Sequence, residues 1–249
     1  MAIVGLVSSY REGALIRGAV GSLAAAGPDR IYVVEGSAGM IVPAACPETD
    51  LGGFASHVEL IEGAWPTDAA KRTGIVKRVQ ADFPDQPIWG VWVDGDEVLR
   101  NGEFLRDLLQ AVLWKDEAAG ASIVLPDNPP TAGFPIRLVE MDGSVVVCRA
   151  KVLRVDLVSN YVVSSSGIKF KNGVVQAEGN LPDRIADWWV PGRMEKLEKG
   201  ERMLDAPLPC EPFLWHRSPL RHPARASVRM HQQETVELAR MGVLDQTPR

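Results

Sequence analysis

The residues with the clearest chemistry are Trp92-Val93-Asp94-Gly95-Asp96-Glu97, where an apolar run, Ile88 to Val93, feeds straight into acids. Carboxylates that close repel one another, and a divalent cation relieves the repulsion. Hard oxygen ligands with room for phosphate oxygens suit Mg2+ or Mn2+. Asp94 and Asp96 are therefore expected to act as exposed metal ligands at the rim of a sheet. The same residue types also build an ordinary surface turn capping the next helix, since Asp and Gly are turn formers.

The elements needed to position these acids are legible upstream. Ile3 to Ser8 reads as a strand, and residues 13 to 26 carry Leu15, Ile16, Val20, Leu23 and Ala24 at helical spacing before Gly27-Pro28. Ile31 to Glu35 and Val58 to Ile61 read as two more strands, residues 66 to 82 as a helix, and Ile88 to Val93 as a strand buried on both faces. That order predicts a parallel sheet flanked by helices, with ligands at the carboxyl ends of its strands. A helix over 102 to 118 and a strand from Ser122 to Leu125 follow. Beyond Pro135 the texture changes to antiparallel hairpins with turns at Asp142-Gly143 and Lys171-Asn172-Gly173. Helical stretches within 180 to 203, a short terminal strand Pro212 to His216 and a last helix over 223 to 242 complete the expectation. Residues 1–120 read as a nucleotide-binding half and 121–249 as an acceptor-side half of one domain.

Composition narrows the class. With 249 residues, 46% of them apolar, the chain is long and hydrophobic enough to bury a core without staples. A net charge of -5 disfavours coating nucleic acid, which takes clustered Lys and Arg. Three scattered cysteines, Cys46, Cys148 and Cys210, write no disulfide framework and no zinc ribbon. The N-terminus lacks a positive n-region, and no apolar stretch of about 18 residues occurs, so a cytoplasmic protein is expected.

Three strand ends together resemble the family-2-like glycosyltransferases of GT-A fold: Val7-Ser8-Ser9-Tyr10-Arg11-Glu12, Val33-Val34-Glu35-Gly36-Ser37 and Val93-Asp94-Gly95-Asp96-Glu97. The resemblance covers about residues 3 to 118 and extends loosely to Pro135-Ile136-Arg137-Leu138 and Leu214-Trp215-His216. It implies a Rossmann-like mixed sheet and a metal-dependent transferase that uses a nucleotide-diphosphate sugar, most simply a UDP-sugar. It places base and ribose against Ser8, Tyr10, Glu12 and Glu35, with Tyr10 as a stacking ring. Glu35 stands where the family more often has Asp, and an exposed loop acid or helix cap is the plainer reading. Of Thr67, Asp68, Lys71 and Arg72, the last is expected to approach the donor, although Asp68 and Arg72 at i, i+4 also suit a plain helical pair.

The resemblance further implies that His216 completes the metal sphere or touches the diphosphate, the plain alternative being a half-buried histidine bonded to backbone; as a ligand it would make activity fall as the imidazole protonates, roughly below pH 6.5. Arg217 and Arg221 are expected in a loop near the diphosphate, while Arg225 and Arg229 fall on the last helix. The base for an acceptor hydroxyl is drawn from Asp127, Glu140, Asp183 and Asp187, with Asp187 beside Trp188-Trp189 and Asp127 preferred. The acceptor stays open between a protein, a saccharide and a modified DNA base. The rival readings are a nucleotidyltransferase, for which the SSYREGAL segment is a poor triphosphate loop, and a non-catalytic sugar- or nucleic-acid-binding module.

Overall fold

The computed structural model describes residues 1–36, 46–118, 133–143, 145–161, 168–170, 173–175, 177–179, 210–217 and 220. The first half alternates strand and helix as its sequence predicts: β1 (Ala2–Ser9), α1 (Ile16–Ala25), β2 (Arg30–Glu35), β3 (Val58–Glu62), α2 (Asp68–Asp82), β4 (Ile88–Asp94), β5 (Glu97–Arg100) and α3 (Leu105–Ala118). Then come β6 (Gly133–Glu140), β7 (Val145–Arg154), β8 (Val158–Tyr161), β9 (Ile168–Phe170), β10 (Gly173–Val175), β11 (Ala177–Gly179) and β12 (Phe213–His216).

Eight of these strands form one mixed sheet in the order β3-β2-β1-β4-β7-β6-β12-β5. The first four are mutually parallel. β7 runs against both β4 and β6, so β6 and the parallel β12 regain the direction of β4, while β5 opposes β12. Consequently Ser9, Glu35, Asp94, Glu140 and His216, each at or near the carboxyl end of its strand, share one edge of the sheet.

Strand alternation explains the layering. From β1, Ile3 and Val7 pack with Ile16, Val20 and Leu23 of α1 and Leu105 and Leu109 of α3. Val4 and Leu6 face the other way, onto Ile75, Val76 and Val79 of α2. A helix layer on each face of a sheet buried through both faces is the mixed α/β architecture that the resemblance implies, compatible with a GT-A-like Rossmann fold. The expected antiparallel hairpins are present as β6–β7, turning at 141–143, and as β9–β10.

Two placements differ from the sequence reading. β5 was not expected, because four residues opening on an acid carry almost no periodic signal. The strand ending in His216 is not peripheral: it is inserted between β6 and β5, so the stretch after the Asp-rich turn is pinned to the late part of the chain. The expected strand at 122–125 and the helices within 180–203 and over 223–242 lie outside the described residues.

Candidate functional site

At the end of β1 the chain leaves the sheet through Arg11, whose φ of 58° is left-handed and turns its N–H onto Glu35 Oε1 at 3.0 Å. Glu35 also accepts from Gly36 N at 2.9 Å and from the Thr49 hydroxyl, and Thr49 Oγ1 lies 3.0 Å from Ser9 Oγ. Burial pushes the Glu35 carboxyl up, but hydrogen bonds from Ser9, Thr49 and the two backbone amides outweigh it and hold the group below its ordinary range. Gly36, at φ 126°, has no room for a side chain, since a Cβ there would lie 1.9 Å from Gly63 O. Glu35 is thus a carboxylate that ties together the carboxyl ends of β1 and β2 and the Thr49 segment.

Ser8 and Glu12, expected to face the donor, are buried. Glu12 instead fills the space beneath the turn after β4: a Cβ on Gly95 would lie 2.6 Å from its Cγ, so only glycine fits there. Tyr10 donates its hydroxyl to Asp68, and one face of its ring is covered by the Lys71 ammonium, 3.5 Å from the ring centre. Lys71, wholly buried, donates to Ser9 O and, at 3.1 Å, to Gly36 O, tying α2 to the ends of β1 and β2. Thr67 caps α2 by accepting from Ala70 N at 3.1 Å.

The two aspartates of the turn have separate surroundings. Asp94 faces outward between two cations: Lys151 Nζ lies 3.0 Å from its Oδ2, and Arg72 Nη2 lies 3.6 Å from its Oδ1. Arg72 also donates Nε to Asp68 at 2.9 Å and lies over the Trp92 ring, 4.8 Å from its centre. Lys151 makes a second contact, 3.0 Å to Glu97 Oε2, which accepts Asp94 N at 2.8 Å. Burial lowers the tendency of Arg72 and Lys151 to hold their protons, but Asp68 and Asp94 for the first, and Asp94 and Glu97 for the second, more than restore it. Burial, followed by the nearby Asp94 charge, raises the Glu97 pKa against the pull of Lys151.

Asp96, by contrast, is fully buried and 3.1 Å from His216 Nε2, while His216 Nδ1 lies 3.0 Å from Glu140 Oε1. The hydrogen bond to Asp96, with Glu140 behind it and against the opposing effect of burial, raises the His216 pKa to about 9. Both ring nitrogens are thus directed at carboxylates, Nδ1 at Glu140 and Nε2 at Asp96, and an imidazole that holds both protons has no lone pair for a metal. Arg217 extends the same anchor. Its N–H donates to Asp96 O at 2.9 Å and its guanidinium to Leu15 O at 2.9 Å, packed over Gly18 of α1.

Mn2+ or Mg2+ held jointly by Asp94, Asp96 and His216 does not fit this arrangement. Among the described residues, no three His, Cys, Asp or Glu side chains come together to hold a metal ion. Asp96 is spent on His216, and an ion at Asp94 would meet the Lys151 ammonium and Arg72. At ~4 Å and an effective dielectric of ~20 two unit charges interact by about 4 kcal/mol, and a divalent ion doubles the opposition.

Beside Glu140 an open groove of about 300 Å3 is lined by Arg100, Val139, Met141, Phe213 and Trp215. Asp127, Asp183, Asp187 and Arg221 lie outside the described residues. Lys151 was missed by sequence reasoning; the available signal was a lysine inside the strand pattern Val147 to Val155, where a buried cation needs a partner. No helix among the described residues is long and apolar enough to cross a membrane.

No protein-family model matches the chain, and no curated protein matches it. Among solved structures it is similar to one titled "Crystal structure of S. aureus TarS", with 15% identity over 56% of this chain and 21% of that one and a TM-score of 0.32. A likeness of that size says nothing of this chain's activity.

Proposed function

We propose that the protein is a glycosyltransferase that takes a sugar from a nucleotide diphosphate, a UDP-sugar being the first candidate, to an acceptor hydroxyl. The observation that carries this reading is the convergence at one sheet edge of the Ser9–Arg11 turn, Glu35 and Asp94, with Arg72 and Lys151 beside Asp94. Carboxyl ends of parallel strands are where such sheets bind ligands, and a diphosphate needs cations where its charge grows as it departs.

In the transfer, the bond from the anomeric carbon to the diphosphate oxygen breaks, and its electron pair leaves on the nucleoside diphosphate. The acceptor oxygen bonds to that carbon, and its proton passes to a carboxylate base, for which Asp127 and Asp187 remain the proposed residues. The groove beside Glu140 supports an acceptor on the β6–β12 side of the edge. Calorimetric titration of the full chain with UDP, GDP and dTDP tests the reading. Binding of one diphosphate, weakened about tenfold by Arg72→Ala, is the expected result; the absence of binding by all three would end it.

A further inference from the structure

We propose that Lys151, with Arg72, binds the donor diphosphate in the position where a divalent cation is expected, so that donor binding requires no metal ion. The inference rests on the nucleotide-sugar reading above.

Val91 of β4 pairs with Val152 of the antiparallel β7, so Lys151, the residue before Val152, lies alongside the end of β4. Its ammonium has three N–H donors, and Asp94 Oδ2 and Glu97 Oε2, both at 3.0 Å, take two. The third remains for an incoming oxygen. The Lys151 side chain is 14% exposed, Arg72 24% and Asp94 34%, so the pair of cations meets solvent through Asp94. Asp94 and Glu97 hold the ammonium in place, and Asp68 and the Trp92 ring hold the guanidinium. Two cations thus flank one carboxylate at the strand end where a phosphate group would arrive. Fixed guanidinium and ammonium groups make charge-assisted bonds to phosphate oxygens and supply the neutralisation otherwise left to an ion.

Calorimetry on the full chain with UDP as the probe, once in EDTA and once in Mn2+, tests this. Dissociation constants within about threefold of each other support the proposal; binding abolished by EDTA and restored by Mn2+ overturns it and leaves the nucleotide-sugar reading standing. The paired variant Lys151→Met with Glu97→Gln removes one positive and one negative charge together, so the buried Glu97 carboxylate is not stranded and Asp94 keeps Arg72. Its UDP affinity in EDTA should fall at least about tenfold with an unchanged thermal midpoint, and unaltered affinity would remove Lys151 from the site. Failure of UDP, GDP and dTDP to bind in either buffer sinks the nucleotide-sugar reading itself, and this proposal with it.

Discussion

Asp94 and Asp96 flank one glycine in one turn, yet they occupy different physical worlds. Asp94 faces solvent at the end of β4, between the Arg72 and Lys151 cations. Asp96 has no exposed surface and meets the imidazolium of His216, which reaches on to Glu140. The pair teaches that an acid-x-acid motif need not act as a unit. One carboxylate lies partly exposed between two cations, and the other fastens the late strand β12 to the turn that carries the first.

Replacing each member separates the two roles. Asp96→Ala strands a buried cation, and breaking a buried pair from one side costs about 3–5 kcal/mol, which urea unfolding measures. Loss of less than about 1 kcal/mol would return Asp96 to the exposed reading. His216→Gln should cost up to about 3 kcal/mol near pH 6, at roughly 1.4 kcal/mol for each pKa unit. Because the folded-state pKa is raised to about 9, this contribution is complete below the ordinary histidine value near 6.5 and is lost as pH rises through about 9. Wild type and variant should therefore converge in stability by pH 10; a constant gap would contradict the ion pairs.

The turn between the aspartates gives a smaller effect. In Gly95→Ala the added Cβ meets Glu12 Cγ at 2.6 Å, and overpacking of this kind costs about 1–3 kcal/mol, read as a lowered thermal midpoint. The smallest stability effect belongs to Asp94→Asn, within about 1 kcal/mol for a partly exposed pair. In EDTA the same change should tighten UDP binding a few-fold, since it removes the negative charge lying between Lys151 and Arg72. A loss of UDP binding would show instead that Asp94 is needed to hold the donor.

What could be read without coordinates follows from how local each signal is. β1, β2 and β4 were legible because apolar runs announce buried strands, and α1 and α2 because their apolar residues recur at helical spacing. β5 was not legible, being four residues long and opening on Glu97. Neither was the burial of Asp96, whose partner His216 is supplied by a strand far along the chain. The pairing of Lys151 with Asp94 depends on β7 inserting antiparallel beside β4, a choice of sheet order that local periodicity does not encode. Glu35 was placed at the correct edge, but its bonds to Arg11, Gly36 and Thr49 required the folded loop.

The insertion of β12 between β6 and β5 has a kinetic consequence. Until Phe213–His216 arrives, β5 lacks the one strand it pairs with among the described residues, β6 lacks its pairing with β12, and Asp96 lacks its contact with His216. Such contacts between distant parts of a chain form slowly, because a long loop must close before they return any energy. During synthesis on a ribosome, the α/β half can collapse early while β5 waits for a strand still to be translated. The docking of four late residues is then the event that commits the chain to its native sheet.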